Sequence, residues 1–539
     1  MAAAASKSLR RSSARAKRAA RPVAAAPEPS STAPTAPGSD GLLDLPQAID
    51  LLKTTRTTFY RWLKSGAIKG MKIGRQWRFY RTELQRFLEG AAPRIDLPAA
   101  ITPFLEDLRR QIVTLWNDDC VLSKAYIDKI KALSIPDDDP KRIDLALDWV
   151  ITLALVMHAT DIHLSPRFNA ETGQQVGSVR FQIDGNLQEA ATLDARLLPN
   201  LITKIKAAAA CDVNIKNWPQ DGRIVLKIEN ATLDLRICFI GIIHGEAATL
   251  RVLQPSAISF AMERLGLSSS DRTRISHALD SRWGVVVISG PTNSGKTTTL
   301  YSCLSQIAGP TRKVMSIEDP VEYMLPWVDQ MQVDPRNGLS FAVAMRAILR
   351  SAPHAILVGE IRDRETLLLC CQAALTGHLV LSTLHAPDAA SALVRMVEIG
   401  VDPFVIGDAT RLTMSQRLVR VLCPDCAEPG TPDPRHLEQA RRWAKEGGLR
   451  WDDHEAVFMK PVGCARCMHT GYRGRVAAAE TLPLSPELGA ALRRGAGAPE
   501  LRKIAVEQGM TTMLADGVRR ALAGETTLLE VMQHAGTIL

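Results

Sequence analysis

A glycine-lined turn ending in lysine and threonine is the part of this chain most clearly fitted to chemistry. Gly290-Pro-Thr-Asn-Ser-Gly295-Lys296-Thr297 satisfies the pattern G-x-x-x-x-G-K-[ST] in full. Glycines let the backbone curl so that successive N–H groups face a chain of phosphates. Lys296 offsets charge on the outer phosphates, and the Thr297 hydroxyl is of the type that ligates Mg2+. Gly290, Pro291, Thr292, Asn293, Ser294, Gly295, Lys296, Thr297 and Thr298 are therefore expected to hold a nucleoside triphosphate, ATP or GTP, with Thr297 serving magnesium. A nucleotide site that does work also needs a carboxylate to polarise water. Glu360 follows the apolar run Ala-Ile-Leu-Val at 355–358, and Glu318, Asp319 and Glu322 follow a second apolar run at 314–317. Acidic groups at two strand ends near one phosphate loop suit Mg2+ and the attacking water.

Cysteines supply a second chemistry. Cys423-Pro-Asp-Cys426 and Cys464-Ala-Arg-Cys467 are two C-x-x-C pairs, with residues 427–463 between them. Each pair clamps a metal through two thiolates on a tight knuckle. Four thiolates suit tetrahedral zinc and leave no open position, which predicts a structural Zn2+ site. The N-terminus is basic but has no apolar core of a secretory signal, so disulfides are not expected. The other six cysteines read as small hydrophobes.

These residues need elements to position them. Val285-Val-Val-Ile288, just before the glycine turn, is a β-branched run fit for a buried parallel strand, and a helix-like stretch follows the turn. From about residue 260 onward, buried strands alternate with helical segments, the pattern of an α/β fold. Upstream, residues 141–255 mix helices with alternating strands. Val179-Arg-Phe-Gln-Ile183 runs into Asp184-Gly185, a hairpin signal, and Leu233, Leu235 and Ile237 alternate along another strand. Residues 91–140 read as helical, broken at Pro93, Pro98, Pro103 and between Pro136 and Pro140. Residues 1–40, rich in Ala, Pro, Ser and Arg, read as a disordered basic tail. A length of 539 residues predicts three or four domains, and no apolar run is long enough to span a bilayer. The net charge of +9 is concentrated at the start: the first 90 residues carry +11 and the remainder −2. That field suits a polyanion or an acidic membrane surface.

The stretch from Asp148 to Glu480 resembles the secretion and pilus ATPases of the type II secretion E family. Four ordered blocks carry the likeness: Gly290 to Tyr301, Ile317-Glu-Asp-Pro-Val-Glu-Tyr323, Ile356-Leu-Val-Gly-Glu-Ile-Arg-Asp363 and Leu375-Thr-Gly-His-Leu-Val-Leu-Ser-Thr-Leu-His385. Gln416-Arg-Leu-Val-Arg420 and Gly471-Tyr-Arg-Gly-Arg475 match as well. The resemblance implies an α/β, RecA-like P-loop ATPase domain over 258–539 with a zinc subdomain at 423–467. It implies a PAS-like α+β domain over 141–257, preceded by a helical linker over 91–140. It makes Glu360 the catalytic carboxylate, Glu318 its support, and His378 and His385 sensors of the γ-phosphate. Arg223 and Arg236 would reach the phosphates from the preceding domain, while Arg346, Arg350, Arg362 and Arg395 would serve the ATPase domain and its interfaces. It implies a homohexamer, cytoplasmic and peripheral at the inner membrane. That motor would drive pilin or pseudopilin polymerisation through inner-membrane platform and docking proteins. The tetracysteine motif favours assembly or secretion over pilus retraction. Asn293 departs from the family, which usually has glycine there.

Residues 41–90 resemble the excisionase/MerR-type winged helix-turn-helix. Ile49, Leu52, Phe59, Trp62 and Leu63 are expected to pack two short helices, with Gly70 to Arg78 as a basic wing. Arg56, Thr57 and Arg61 would face a DNA groove, and Lys72, Arg75 and Arg78 would touch phosphates. Protein docking is the open alternative for this module. With it stands a rival reading of the whole chain, as a DNA-binding regulatory ATPase or a DNA-uptake pilus motor.

Overall fold

The computed structural model describes residues 42–64, 68, 70–73, 76–81, 84, 87, 101–117, 120–133, 142–168, 173–229, 231–253, 260–452, 454 and 456–535. The basic tail at 1–40, and the part of the linker at 91–100 and 134–140, lie outside them. The chain divides into two compact units, Met1–Ile95 and Asp96–Leu539.

In the first unit, strand β1 (Leu42–Asp44) leads into helices α1 (Leu45–Leu51) and α2 (Arg56–Lys64). Strands β2 (Met71–Ile73) and β3 (Gln76–Tyr80) follow, and the sheet order is β1-β3-β2. Asp44 caps α1: its side chain accepts from the Gln47 N–H, and the Gln47 side chain accepts from the Asp44 N–H, both at 2.9 Å. Ala48, Leu52, Phe59, Ile68, Phe79 and Leu84 form the core, with Ile49, Trp62 and Leu63 packed partly buried against it. Phe59 meets Phe79 edge-on at 5.0 Å between ring centroids. A Cβ at Gly70 would lie 2.3 Å from the Phe79 ring, so no larger residue fits there without displacing it.

The second unit begins with helices α3 (Ile101–Leu115), α4 (Lys124–Ala132) and α5 (Arg142–Val156). Strands β4 (Asp161–Phe168), β5 (Gln175–Ile183), β6 (Asn186–Asp194), β7 (Gln220–Ile228), β8 (Ala231–Ile242) and β9 (Gly245–Leu253) form an antiparallel sheet, with α6 (Leu198–Ala208) between β6 and β7. Its order is β6-β5-β4-β9-β8-β7. Leu233, Leu235 and Ile237 point into the same core as α3, α5 and α6. Asp184 and Gly185, at φ of 49° and 88°, make the two-residue turn between β5 and β6 that the sequence predicts.

The largest sheet is built from β10 (Gly284–Ser289), β11 (Val314–Glu318), β12 (Val328–Gln332), β13 (Ala355–Val358), β14 (Leu379–Leu384), β15 (Thr410–Leu422) and β18 (Tyr472–Pro483). The order is β12-β11-β13-β14-β10-β15-β18, parallel throughout except that β18 runs antiparallel to β15. Every residue of β10, β11, β13 and β14 is buried, as helix-covered parallel strands require. Burial of each such Val, Ile or Leu contributes about 1.5–3 kcal/mol. Helices α7 (Ser269–Asp280), α8 (Lys296–Ile307), α9 (Phe341–Leu349), α10 (Arg364–Leu375), α11 (Ala389–Glu398) and α12 (Pro403–Ala409) connect these strands. Residues 427–463 carry two short strands, β16 (Glu428–Pro429) and β17 (Met459–Lys460), and helix α13 (Pro434–Glu446). Four helices, α14 (Pro486–Arg493), α15 (Ala498–Glu507), α16 (Met513–Leu522) and α17 (Leu528–His534), follow β18 among the described residues. Among the described residues no helix is long and apolar enough to cross a membrane.

Candidate nucleotide site and tetracysteine centre

The sheet topology explains why residues scattered over almost a hundred positions meet. In the order β11-β13-β14-β10, four neighbouring parallel strands end at one edge. Glu318 closes β11, Glu360 follows β13, His385 follows β14, and the glycine turn follows β10. Lys296, Thr297, Tyr301, Glu318, Glu360 and His385 line one cavity of about 180 Å3 at that edge.

The turn has the shape its sequence implies. Gly290 and Gly295 sit at φ of 146° and 86°, and a Cβ on Gly290 would lie 2.6 Å from both the Gln416 carbonyl and Ser294 Oγ. Asn293 adopts φ 64°, a left-handed conformation that asparagine tolerates better than most residues. Helix α8 starts at Lys296 with no side-chain cap, which leaves first-turn N–H groups to face a ligand. Ser294 Oγ is buried without a hydrogen-bond partner among the described residues. These are features of a phosphate cradle, and a triphosphate with Mg2+ fits them. Lys296 Nζ donates to the carbonyls of Gly290 and Pro291 at 2.9 and 2.8 Å. Burial pulls its ammonium below the usual lysine range, against the attraction of Glu360.

Two carboxylates face the cavity differently. Glu318 is almost fully buried and accepts from Tyr301 Oη, from Ser316 Oγ at 2.5 Å and from Gln330 Nε2 at 3.2 Å. Glu360 is partly exposed. One of its oxygens is hydrogen-bonded by Arg362, which also lies 3.7 Å from Asp319, and its other oxygen lies 3.9 Å from His385 Nε2. Glu360 is thus the carboxylate presented to the cavity, and Glu318 is held behind it.

Three expected residues are not brought to this cavity. His378 precedes β14, at the opposite end of that strand from His385, and its carbonyl accepts from the N–H of Gly284 at the start of β10. Six strand residues separate the two histidines, a rise of about 20 Å. His378 Nδ1 instead lies 2.9 Å from the Ala373 carbonyl, at the C-terminal end of α10. The role expected for it at this phosphate loop is therefore corrected. Arg223 pairs with Asp234 on the neighbouring strand at 2.7 and 2.8 Å, within its own sheet. Arg236 comes nearer: it bridges to Glu322 at 3.0 Å and to the Val321 carbonyl at 3.1 Å, so it grips the loop after Glu318 rather than the glycine turn. Of the other arginines, Arg362 reaches the site. Arg346 pairs with Glu365, Arg395 with Glu398, and Arg350 donates to the Arg346 carbonyl.

Sequence reasoning passed over the braces. Gln416 is buried, donating to the Ser294 carbonyl at 2.7 Å and accepting from Thr299 Oγ1 at 2.8 Å. Tyr301 holds Glu318 from the helix that begins at Lys296. Both lie inside blocks already singled out, at positions where a buried polar group called for a partner.

The four cysteines converge. Sγ atoms of Cys423 and Cys464 are 4.0 Å apart, those of Cys426 and Cys467 3.7 Å, and those of Cys464 and Cys467 3.8 Å. A tetrahedral centre with Zn–S bonds of about 2.3 Å needs sulfurs about 3.8 Å apart. The Cys467 sulfur also accepts N–H bonds from Cys464 at 3.1 Å and Gly471 at 3.2 Å. Burial raises the Cys467 pKa, but these backbone donors together with the Cys426 and Cys464 thiols outweigh it and hold the thiol near 7. This donor set fits a thiophilic tetrahedral ion.

In the first unit, Arg56 and Thr57 are exposed on α2, Arg56 lying over the Tyr60 ring at 5.9 Å. Arg78 on β3 donates to Gln76 at 2.7 Å. Arg75, and the side chains of Arg61 and Lys72, lie outside the described residues.

Comparison with known proteins bears on both units. Residues 42–92 match the family described as helix-turn-helix domain, and residues 137–533 match the family described as type II/IV secretion system protein. Type II secretion system protein E of Pectobacterium carotovorum subsp. carotovorum is 36% identical over 79% of this chain and 82% of its own length. The type IV pilus assembly ATPase PilB of Thermus thermophilus is 37% identical over 82% of this chain, which spans about half (48%) of that protein. The X-ray structure of the Legionella pneumophila ATPase DotB shares the fold, with a TM-score of 0.53, 21% identity and coverage of 74% of this chain and 97% of that one. With one residue or more from each of four motif blocks meeting at one sheet edge and a match spanning most of its length, this chain belongs to the type II/IV secretion system protein family and is an ATPase.

Proposed function

We propose that this chain is the ATP-hydrolysing motor of a type II secretion or type IV pilus assembly system. Working as a homohexamer at the cytoplasmic face of the inner membrane, it would drive pilin or pseudopilin polymerisation through a platform protein. The observation that carries this reading is the convergence of Lys296, Thr297, Glu318, Glu360 and His385 on one cavity. ATP enters with its phosphates on the glycine turn, where Lys296 and the first N–H groups of α8 offset their charge. Thr297 would hold Mg2+, which when bound neutralises charge on the phosphate oxygens. Glu360 orients water toward the γ-phosphate, and His385 senses whether that phosphate is present. Glu318, fixed by three donors, keeps the edge in shape. Arg236, from the preceding domain, reads the loop after Glu318, so a change at the phosphate is passed to domain orientation. The tetracysteine centre would hold Zn2+ as a structural ion. Glu360→Gln keeps shape and removes the charge. Turnover should fall about 100-fold or more while MgATP binding is kept; unchanged turnover would remove Glu360 from the mechanism.

The exposed Arg56 and Thr57 on α2 favour a second activity, duplex DNA binding by the first unit, as in a regulatory ATPase or a DNA-uptake pilus motor. Arg56→Ala with Arg61→Ala should weaken binding and shallow its dependence on salt. An unaltered salt slope would leave protein docking as the module's use.

A further inference from the structure

Glu480, on β18, is almost fully buried and far along the chain from every motif residue of the cavity, yet it bonds the first residue of the helix that follows the His385 loop. Its Oε1 accepts from the Ala389 N–H at 2.6 Å and its Oε2 from the Met513 N–H at 2.9 Å. Ala389 is the first residue of α11 and Met513 the first of α16, so one buried carboxylate joins the N-terminal ends of two helices. The segment between His385 and Ala389 is fixed from several sides. Pro387 O accepts from Ser415 Oγ at 3.4 Å, Ala389 O from Thr413 Oγ1 at 2.9 Å, and Asp388 from Arg502 at 2.6 Å. Thr413 and Ser415 precede Gln416, the brace of the glycine turn, and Ser415 pairs with Glu480 across the two strands. The γ-phosphate side and the glycine-turn side of the cavity therefore hang on the same strand pair. Beyond Met513, α16 packs into the cluster that holds α13, between the two cysteine pairs.

We propose that Glu480 is a positioning residue for ATP hydrolysis: by holding the ends of α11 and α16 on one carboxylate, it fixes His385 opposite Glu360 and ties that loop to the C-terminal helices. This rests on the reading that His385 acts at the γ-phosphate. A carboxylate satisfies both N–H donors at once. An amide of the same shape satisfies one and turns an NH2 toward the other.

The test uses the full chain and compares wild type, Glu480→Gln and His385→Asn in steady-state turnover, MgATP affinity and hydrogen exchange. Glu480→Gln should lower kcat on the order of 10- to 100-fold, as a small misplacement near the reacting atoms does. KM and affinity should stay within about twofold, since the glycine turn keeps its own brace. Exchange should quicken at the Ala389 and Met513 amides. Unchanged kcat, or kcat, KM and melting temperature falling together, overturns the proposal. If Glu480→Gln does not fold, Arg502→Met, at the more exposed end of the same network, should show the same split with a smaller drop; an unchanged kcat there overturns it too. If His385→Asn keeps full turnover, the underlying reading fails and the proposal falls with it. If His385→Asn loses turnover while Glu480→Gln keeps it, the proposal alone is wrong.

Discussion

At the scale of single residues, the site sets chemistry against stability, and Glu480 is where the conflict can be measured. Burial pushes its carboxyl up from 4.5 to about 7, with Asp388 adding to the effect, while the Ala389 and Met513 donors and Arg502 pull the other way. A carboxyl that binds its proton more tightly in the folded state contributes stability below the unfolded pKa. That contribution is lost as pH rises through the folded pKa. Wild type should therefore lose stability between pH 4.5 and about 7 from this group, and Glu480→Gln, which cannot ionise, should lack that step. Denaturant midpoints for both proteins at about pH 5 and about pH 8 check it: the variant should gain relative to wild type at the higher pH. Residue types were legible before the fold was known, since Lys296, Thr297 and Glu360 are dictated by the chemistry of a triphosphate. Their braces were not, because Gln416 meets Ser294 and Glu480 meets Ala389 only through strand register, across 122 and 91 positions. His378 shows the converse. It shares a motif with His385, but a strand that carries one residue to the active edge carries the other to the far edge.

At the scale of elements, the parallel strands could be read directly. Runs at 285–288, 314–317 and 355–358 differ from the observed β10, β11 and β13 by one residue at most at either end. Continuous β-branched runs have few other places to go than the middle of a helix-covered sheet. The two-residue turn at Asp184 was equally plain, because positive φ at both positions selects Asp-Gly. Less legible was the segment 427–463: Leu437, Ala440, Trp443 and Ala444 recur at helical spacing along α13, but what they pack against, the helices after residue 512, lies far along the chain. The turn between β10 and α8 carries its own prediction. Asn293, at φ 64°, holds a conformation that costs a β-branched residue about 1–2 kcal/mol or more. Asn293→Gly should leave melting temperature and MgATP affinity close to wild type. Asn293→Val should weaken MgATP binding roughly tenfold by displacing the N–H groups that face the phosphates. Equal affinities in titration calorimetry would mean that the turn does not need this backbone shape.

At the scale of the whole molecule, the uneven charge and the cysteine cluster set the expectations. The first 90 residues carry +11 and the rest of the chain −2, so attraction for polyanions is expected of the N-terminal region while the ATPase unit is nearly balanced. Contacts inside the second unit were hidden from the sequence. Arg236 meets Glu322 across 86 positions, and Asp184 accepts from the Gly474 N–H at 2.7 Å across 290. Such pairs depend on how two sheets pack within one unit, and no local pattern encodes that. The cysteines are the exception, because two C-x-x-C pairs state their own convergence. Their sulfurs sit next to contacts with the preceding helices and sheet: Arg473, six residues beyond Cys467, donates to Asn117, just after α3, at 3.2 Å, and Met468 packs against the core shared by α3, α5 and the β4–β9 sheet. Loss of the ion should therefore be felt in two places. Cys423→Ser with Cys464→Ser should reduce bound zinc from one per chain to none by elemental analysis. Proteolysis should then cut first within 427–463, and next in the stretch before β10 as the sheets part. MgATP affinity should change little, because the glycine turn is braced by Gln416 and not by the knuckles. A variant that lost zinc yet kept the wild-type cleavage pattern would confine the metal to its own loops.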